Sequence, residues 1–254
     1  MAVPAAPLPV ARVTEPKIPL RPDLGAARRW PLAEWSLRQM VPVVFMPFGI
    51  VLVAEILVVA QAGLHGGSAG ALLTLVQQLA LLVPVLWWVR TEFGSVQPLG
   101  LWRGGWTKAD VFAGFGVGIG ALVLNVALML LTIAVYRAVT GHDPSLPDQV
   151  DAFGEAWLIP SMILATVFAP VCEEVFFRGF VFGGLRRRMR FRWAALVSGA
   201  FFGLMHADPL RFFALSVTGV VFAAVFERRQ RLAASMVAHA TLNIVVVALA
   251  LSAR

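Results

Sequence analysis

The sequence predicts an all-α membrane protein, a polytopic helical bundle of about seven transmembrane helices with room for an eighth. Three observations carry this reading. Of the 254 residues, 59% are hydrophobic and 14% charged, against about 25% charged in soluble domains. Several runs extend for about 18 residues or more with at most one charge, the length needed to cross hydrocarbon. The runs are continuous rather than alternating, which suits helices that satisfy their own backbone in lipid and does not suit barrel strands.

The elements follow in order. Residues 1–39 read as a cytosolic tail with an interfacial segment. Residues 1–29 are rich in Pro, Ala and Arg and lack the order of regions that marks a signal peptide. "RRWPLAEWSLRQM", with two Trp and three Arg, suits an amphipathic stretch lying at the interface. The membrane domain covers 40–252. Its first span, 41–61, contains Pro47 and one acid, Glu55. The second, 70–89, has Gln77 and Gln78 in its middle and ends on Trp87 and Trp88, as an aromatic belt would. A polar connector follows over 90–110; it and residues 1–40 are where an eighth or re-entrant segment would fit. The third span, 111–136, carries Gly114, Gly116, Gly118 and Gly120, two small-xxx-small pairs that predict close helix packing. An acidic loop leads to the fourth span, 157–185, which contains "PVCEEVFFRG". The fifth (193–206) ends at "FFGLMHAD", the sixth covers 211–226, and the seventh (232–251) contains "HATLN".

The net charge of +7 comes from basic residues clustered between apolar runs. That pattern points to topology and anionic lipid headgroups rather than to nucleic acid. Counted from a cytosolic N-terminus, the inside segments hold Arg12 to Arg38, then Arg90, Arg103 and Lys108, then the 186–192 cluster, then Arg228, Arg229 and Arg231. The C-terminus is expected outside. A composition rich in Ala, Arg, Val, Leu and Gly and poor in Lys fits a GC-rich bacterium, hence the cytoplasmic (inner) membrane. The single cysteine, Cys172, excludes an internal disulfide framework. Its apolar, carboxylate-flanked setting disfavours a thiolate nucleophile.

An ionisable group at bilayer depth is a functional candidate by default. Glu174 and Arg178 are spaced i,i+4 in the favourable order for an ion pair, so they read as a supporting brace. Glu173, about 100° round the helix, has Phe176, Phe177 and Phe180 as same-face neighbours and no partner within its own helix. It suits a general base. His206 ends span five, four residues after Phe202, and His239 and Asn243 share one face of span seven. At 1.5 Å per residue, Glu173 lies about 18 Å, His206 about 20 Å, and His239 and Asn243 about 11 to 17 Å from the cytosolic ends of their spans. The four can share one layer. Such a set can hydrolyse a peptide bond. Glu173 with His206 would activate a water, and His239 with Asn243 would stabilise the oxyanion. The same residues offer a second assignment, a catalytic Zn2+ held by Glu173, His206 and His239 with one open position. Asn243 has no place in that ligand set, which favours the mechanism without a cofactor.

"EEVFFR" (173–178), "FGLMH" (202–206) and "HATLN" (239–243) resemble, in this order, the EExxxR, FxxxH and HxxxN/B motifs of the CPBP family. These are the CAAX prenyl proteases and bacteriocin-processing enzymes, also called the ABI family of intramembrane endopeptidases. The similarity covers about 155–250. It implies a helical intramembrane endopeptidase acting on a membrane-associated protein or peptide, with Glu173, His206, His239 and Asn243 in the catalytic positions and Glu174 and Arg178 in support. Two other classes fit the intramembrane charges: an ion- or proton-coupled transporter, and a non-catalytic membrane scaffold whose polar cluster fixes helix packing.

Overall fold

The computed structural model of the chain describes residues 35–60, 67–101, 106–145 and 157–252. Among them there is no strand. Seven helices are present in the described residues: α1 Leu37–Ala60, α2 Gly67–Phe93, α3 Lys108–Thr140, α4 Leu158–Arg186, α5 Phe191–Leu204, α6 Phe212–Arg229 and α7 Leu232–Ser252. All but α5 and α6 are long and apolar enough to cross a membrane. α5 is apolar but shorter, and α6 ends on Glu227, Arg228 and Arg229. The expected interfacial tail falls mostly outside the described residues.

Each helix begins and ends for local reasons. Ser36 and Gln39 bond reciprocally across the start of α1: the Gln39 amide N–H donates to Ser36 Oγ at 3.3 Å, and the Ser36 N–H to Gln39 Oε1 at 2.9 Å. This is a capping box, and it satisfies two amides that the first turn cannot. Thr107 and Asp110 form a second one at the start of α3. Gly141, at φ 75°, closes α3 in the left-handed conformation that glycine adopts without strain.

α4 is the axis of the bundle. Residues 172–186 are buried on every side, which is why this stretch shows no polar stripe. Against it pack α2, α5 and α7, with α6 touching its second half and α1 its C-terminal end. α3 lies outside α6 and α7. The contact of α3 with α7 is made by Gly114 and Gly118. A Cβ on Gly114 would stand 2.6 Å from the Ala234 carbonyl, and one on Gly118 2.6 Å from the Ala238 carbonyl. Gly116 and Gly120 have nothing within 4 Å of such an atom. Of the two expected small-residue pairs, one therefore seats a helix and the other faces outward.

Two stretches of α4, Leu164–Phe168 and Val175–Phe182, are wound as π-helix. Pro170 accounts for the first. It has no N–H to donate, and its ring crowds the carbonyls of the preceding turn. The Ala169 N–H reaches back to Leu164 instead, so the Ala165 carbonyl gains no donor from Ala169 or Pro170. Asn243 of α7 supplies one, Nδ2 to Ala165 O at 2.8 Å. In the second π stretch, Ser198 Oγ donates to Phe177 O at 3.2 Å and Trp35 Nε1 to Phe180 O at 3.2 Å. Three neighbouring segments are thus pinned to α4 through its carbonyls.

Trp35 corrects one expectation. Instead of lying at the interface it is fully buried, stacked on Phe180 with ring centroids 5.0 Å apart and edge-on to Trp88 at 6.1 Å. Trp88 accordingly belongs to this aromatic cluster rather than to a belt, while Trp87 faces outward. The physical reason is the unpaired indole N–H, which finds a backbone acceptor where π winding offers one.

The ends of the helices are tied together. Asp110 is fully buried and accepts from Arg229 Nε and Nη2 at 2.9 and 2.7 Å and from Arg231 Nη1 at 3.1 Å. Arg186 Nε donates to Glu227 Oε1 at 3.0 Å. These pairs place the start of α3, the end of α4, the end of α6 and the start of α7 at one end of the bundle, as alternating up-and-down spans require. Several basic residues of the charge count sit at that end, and three of them, Arg186, Arg229 and Arg231, are paired with the two carboxylates of Glu227 and Asp110.

Candidate active site

The site is built around the α4 turn that carries Glu173 and Glu174. Arg178 is fully buried one turn on, its Nη1 3.0 Å from Glu174 Oε1. The expected brace is present. The guanidinium also sits 4.5 Å above the Phe202 ring and 5.2 Å from that of Phe222, and its Nη2 donates to Gly219 O at 3.3 Å. A buried cation is tolerated where a carboxylate, a carbonyl and ring faces share its charge.

His239 of α7 joins both carboxylates. Its Nδ1 lies 3.1 Å from Glu174 Oε1, and its Nε2 lies 3.8 Å from Glu173 Oε2. The ring is packed between Phe202 and Phe222, with centroid distances of 5.7 and 5.1 Å. A carboxylate can only accept, so Nδ1 carries a proton and Nε2 is turned to Glu173. One side chain orients the imidazole and another receives it, an arrangement common to acid–base sites.

Glu173 does have a partner, on another helix. Gln78 of α2 donates Nε2–H to Glu173 Oε1 at 3.1 Å. Reasoning along the chain missed this contact. The signal was a glutamine in the middle of an apolar span, a group that in lipid needs a partner.

His206 follows the end of α5. Its Nδ1 is 2.8 Å from the Phe202 carbonyl, which can only accept, so Nδ1 carries a proton and Nε2 is the nitrogen not engaged by that bond. Its ring packs on Phe202 at 4.8 Å. The structure therefore brings Glu173, Glu174, Arg178 and His239 into direct contact. It sets His206 beside them against the shared Phe202 ring, and it anchors Asn243, one turn beyond His239, to Ala165. Asn243 Nδ2 has a second N–H besides the one bound there.

Among the described residues no three His, Cys, Asp or Glu side chains are grouped closely enough to hold a metal ion. The Nδ1 bonds of His206 and His239 engage only one nitrogen of each ring, and a metal-ligating histidine commonly makes such a bond too.

Residues 155–245 match the family model described as Type II CAAX prenyl endopeptidase Rce1-like. A Bacillus subtilis (strain 168) protein named "Putative membrane peptidase YdiL" is 33% identical over 90 residues, which cover 35% of this chain and 37% of that protein. No solved structure matches the chain. The matched segment contains α4 to the middle of α7, hence every residue of the polar cluster except Gln78. Over residues 155–245, then, this integral membrane protein is similar to CAAX prenyl endopeptidase-like proteins.

Proposed function

We propose that the chain is an intramembrane endopeptidase that hydrolyses a peptide bond in a membrane-associated protein or peptide, with Glu173 as general base. The observation that carries this reading is the buried contact of His239 with both carboxylates. Two carboxylates and one guanidinium sum to one negative charge, which is costly at bilayer depth. A single proton held between Glu173 Oε2 and His239 Nε2 brings the cluster to zero. With that proton on His239, Glu173 is a free carboxylate and Nε2–H is a donor.

The reaction follows from those states. Glu173 Oε2, assisted by the His206 Nε2 lone pair, takes a proton from water as the oxygen attacks the peptide carbonyl carbon. The carbonyl π pair moves to oxygen, and the oxyanion accepts from His239 Nε2–H and the second Asn243 N–H. Collapse breaks the C–N bond, and the proton taken from water passes to the leaving amine. Preorganised donors in a dry site are worth most at this step, about a hundred- to a thousand-fold in rate for one such donor. Phe202, which contacts Arg178, His206 and His239 together, fixes their spacing.

In the membrane, the proposal places the N-terminus in the bacterial cytosol and gives the chain seven spans. α5 rises about 21 Å, so the turn bearing His206 lies inside the bilayer at the level of Glu173. The test is Glu173→Gln, which keeps shape and removes the base. The purified variant should retain the wild-type melting temperature and fail to cleave a quenched-fluorescence peptide chosen because the wild-type chain cleaves it. Wild-type turnover by the variant refutes the proposal.

A further inference from the structure

From the geometry of α2 we infer that Gln78 is a positioning residue for the reaction: it holds the Glu173 carboxylate so that Oε2, not Oε1, faces the reacting water. This rests on the general-base role proposed for Glu173.

A glutamate carboxylate in an apolar site turns about its terminal torsion, which is broad and roughly two-fold. The neighbours of Glu173 within α4 are aromatic and cannot fix it. The Gln78 Nε2–H, 3.1 Å from Oε1, can. It engages one oxygen and leaves the other, Oε2, 3.8 Å from His239 Nε2 and without a hydrogen-bond partner among the described residues. The two oxygens are thereby made unequal: Oε1 is anchored and Oε2 is reactive. Gln78 is itself only 4% exposed, and it stands on a helix outside the matched family segment. Its own Oε1 is buried without a partner among the described residues. A glutamine placed only to join helices would be expected to use its acceptor as well as its donor. Among the described residues its amide serves Glu173 alone.

The experiment is steady-state kinetics on the full-length protein with the quenched-fluorescence peptide that wild type cleaves. Gln78→Met removes the donor at similar volume. Gln78→Asn keeps an amide one methylene short of Glu173. Melting temperature is recorded for each, and Glu173→Gln runs in parallel. A freed carboxylate loses alignment rather than substrate affinity. Both variants should therefore lower kcat about ten- to a hundred-fold, with KM within about two-fold and no loss of melting temperature in Gln78→Asn. If Glu173→Gln is inactive while both Gln78 variants keep wild-type kcat, the positioning role is overturned and the general base stands. A loss expressed wholly in KM or in melting temperature also overturns it. An active Glu173→Gln removes both ideas together.

Discussion

Gly118→Ala separates packing from chemistry in the α3–α7 contact. The added Cβ would stand 2.6 Å from the Ala238 carbonyl and 2.7 Å from Thr241 Cβ, against about 3.4 Å for ordinary contact, so the two helices must part by about 0.8 Å. Overpacking of this kind destabilises by about 1–3 kcal/mol. Alanine opposes it, because it favours the helix over glycine by about 1 kcal/mol. Gly120→Ala, two residues away with nothing within 4 Å, has the second effect without the first. The propensity term cancels between the two variants, and their difference is the overpacking alone. At about 2–4 °C per kcal/mol, Gly118→Ala should melt several degrees below Gly120→Ala in detergent. Turnover should fall in Gly118→Ala only, because Ala238 adjoins His239 and the displaced α7 carries that imidazole with it. Scanning fluorimetry and peptide cleavage on the two purified variants measure both. Equal melting temperatures would refute the account of α3 seated by Gly118.

Glu174→Gln leaves Arg178 and His239 without their shared carboxylate. Breaking a buried pair costs about 3–5 kcal/mol, so membrane protein level and melting temperature should fall together, which immunoblotting and fluorimetry would show. Asp110→Asn weakens the clasp of α3 on Arg229 and Arg231; bonds between charged groups contribute about 1.5–3 kcal/mol each, and a melting temperature unchanged from wild type would contradict the role given to Asp110. Asn243→Ala should lower kcat and also stability, since it leaves the Ala165 carbonyl without its donor at about 1–3 kcal/mol. In a Pro170→Ala background the stability loss should shrink, because residue 170 regains an N–H, while the kcat loss stays. Purified protein should hold well under one equivalent of zinc and keep cleaving its peptide after dialysis against a strong chelator. Stoichiometric zinc with activity lost and restored would reassign Glu173, His206 and His239 as ligands.

The helices were legible because lipid demands long uninterrupted apolar runs: the expected span 157–185 is observed as Leu158–Arg186, and 232–251 as Leu232–Ser252. The Glu174–Arg178 pair was legible because both partners lie on one helix turn. Contacts between helices were not. Nothing along the chain tells Gly118 from Gly120, since what distinguishes them is that α7, more than a hundred residues on, packs against the first and not the second. Gln78 and Glu173, and His239 and Glu174, likewise meet only across the fold, 95 and 65 residues apart. Trp35 was misplaced because tryptophans near basic residues ordinarily mark an interface, and its true acceptor exists only where α4 departs from 3.6 residues per turn. That departure was itself half visible: Pro170 sits mid-span, and Asn243 is the polar group that answers it.

The dependence of α4 on donors from later helices bears on biogenesis. A chain made from its N-terminus reaches the membrane with Glu173, Glu174 and Arg178 while Ser198, His239 and Asn243 are still unsynthesised. Gln78 has already been laid down and can shelter Glu173, and Glu174 can pair with Arg178. The carbonyl at Ala165 and the outer faces of both carboxylates have no such company. The nascent bundle is therefore incomplete until its last helix arrives, and α4 should be held in a protein-lined exit rather than released to lipid until then. A nascent chain stalled before Leu232 would present a charged, half-solvated helix in the bilayer, the kind of feature that membrane quality-control proteases extract. Commitment to the native state would then be made late, by α7, although the residues that need it are written some sixty positions earlier.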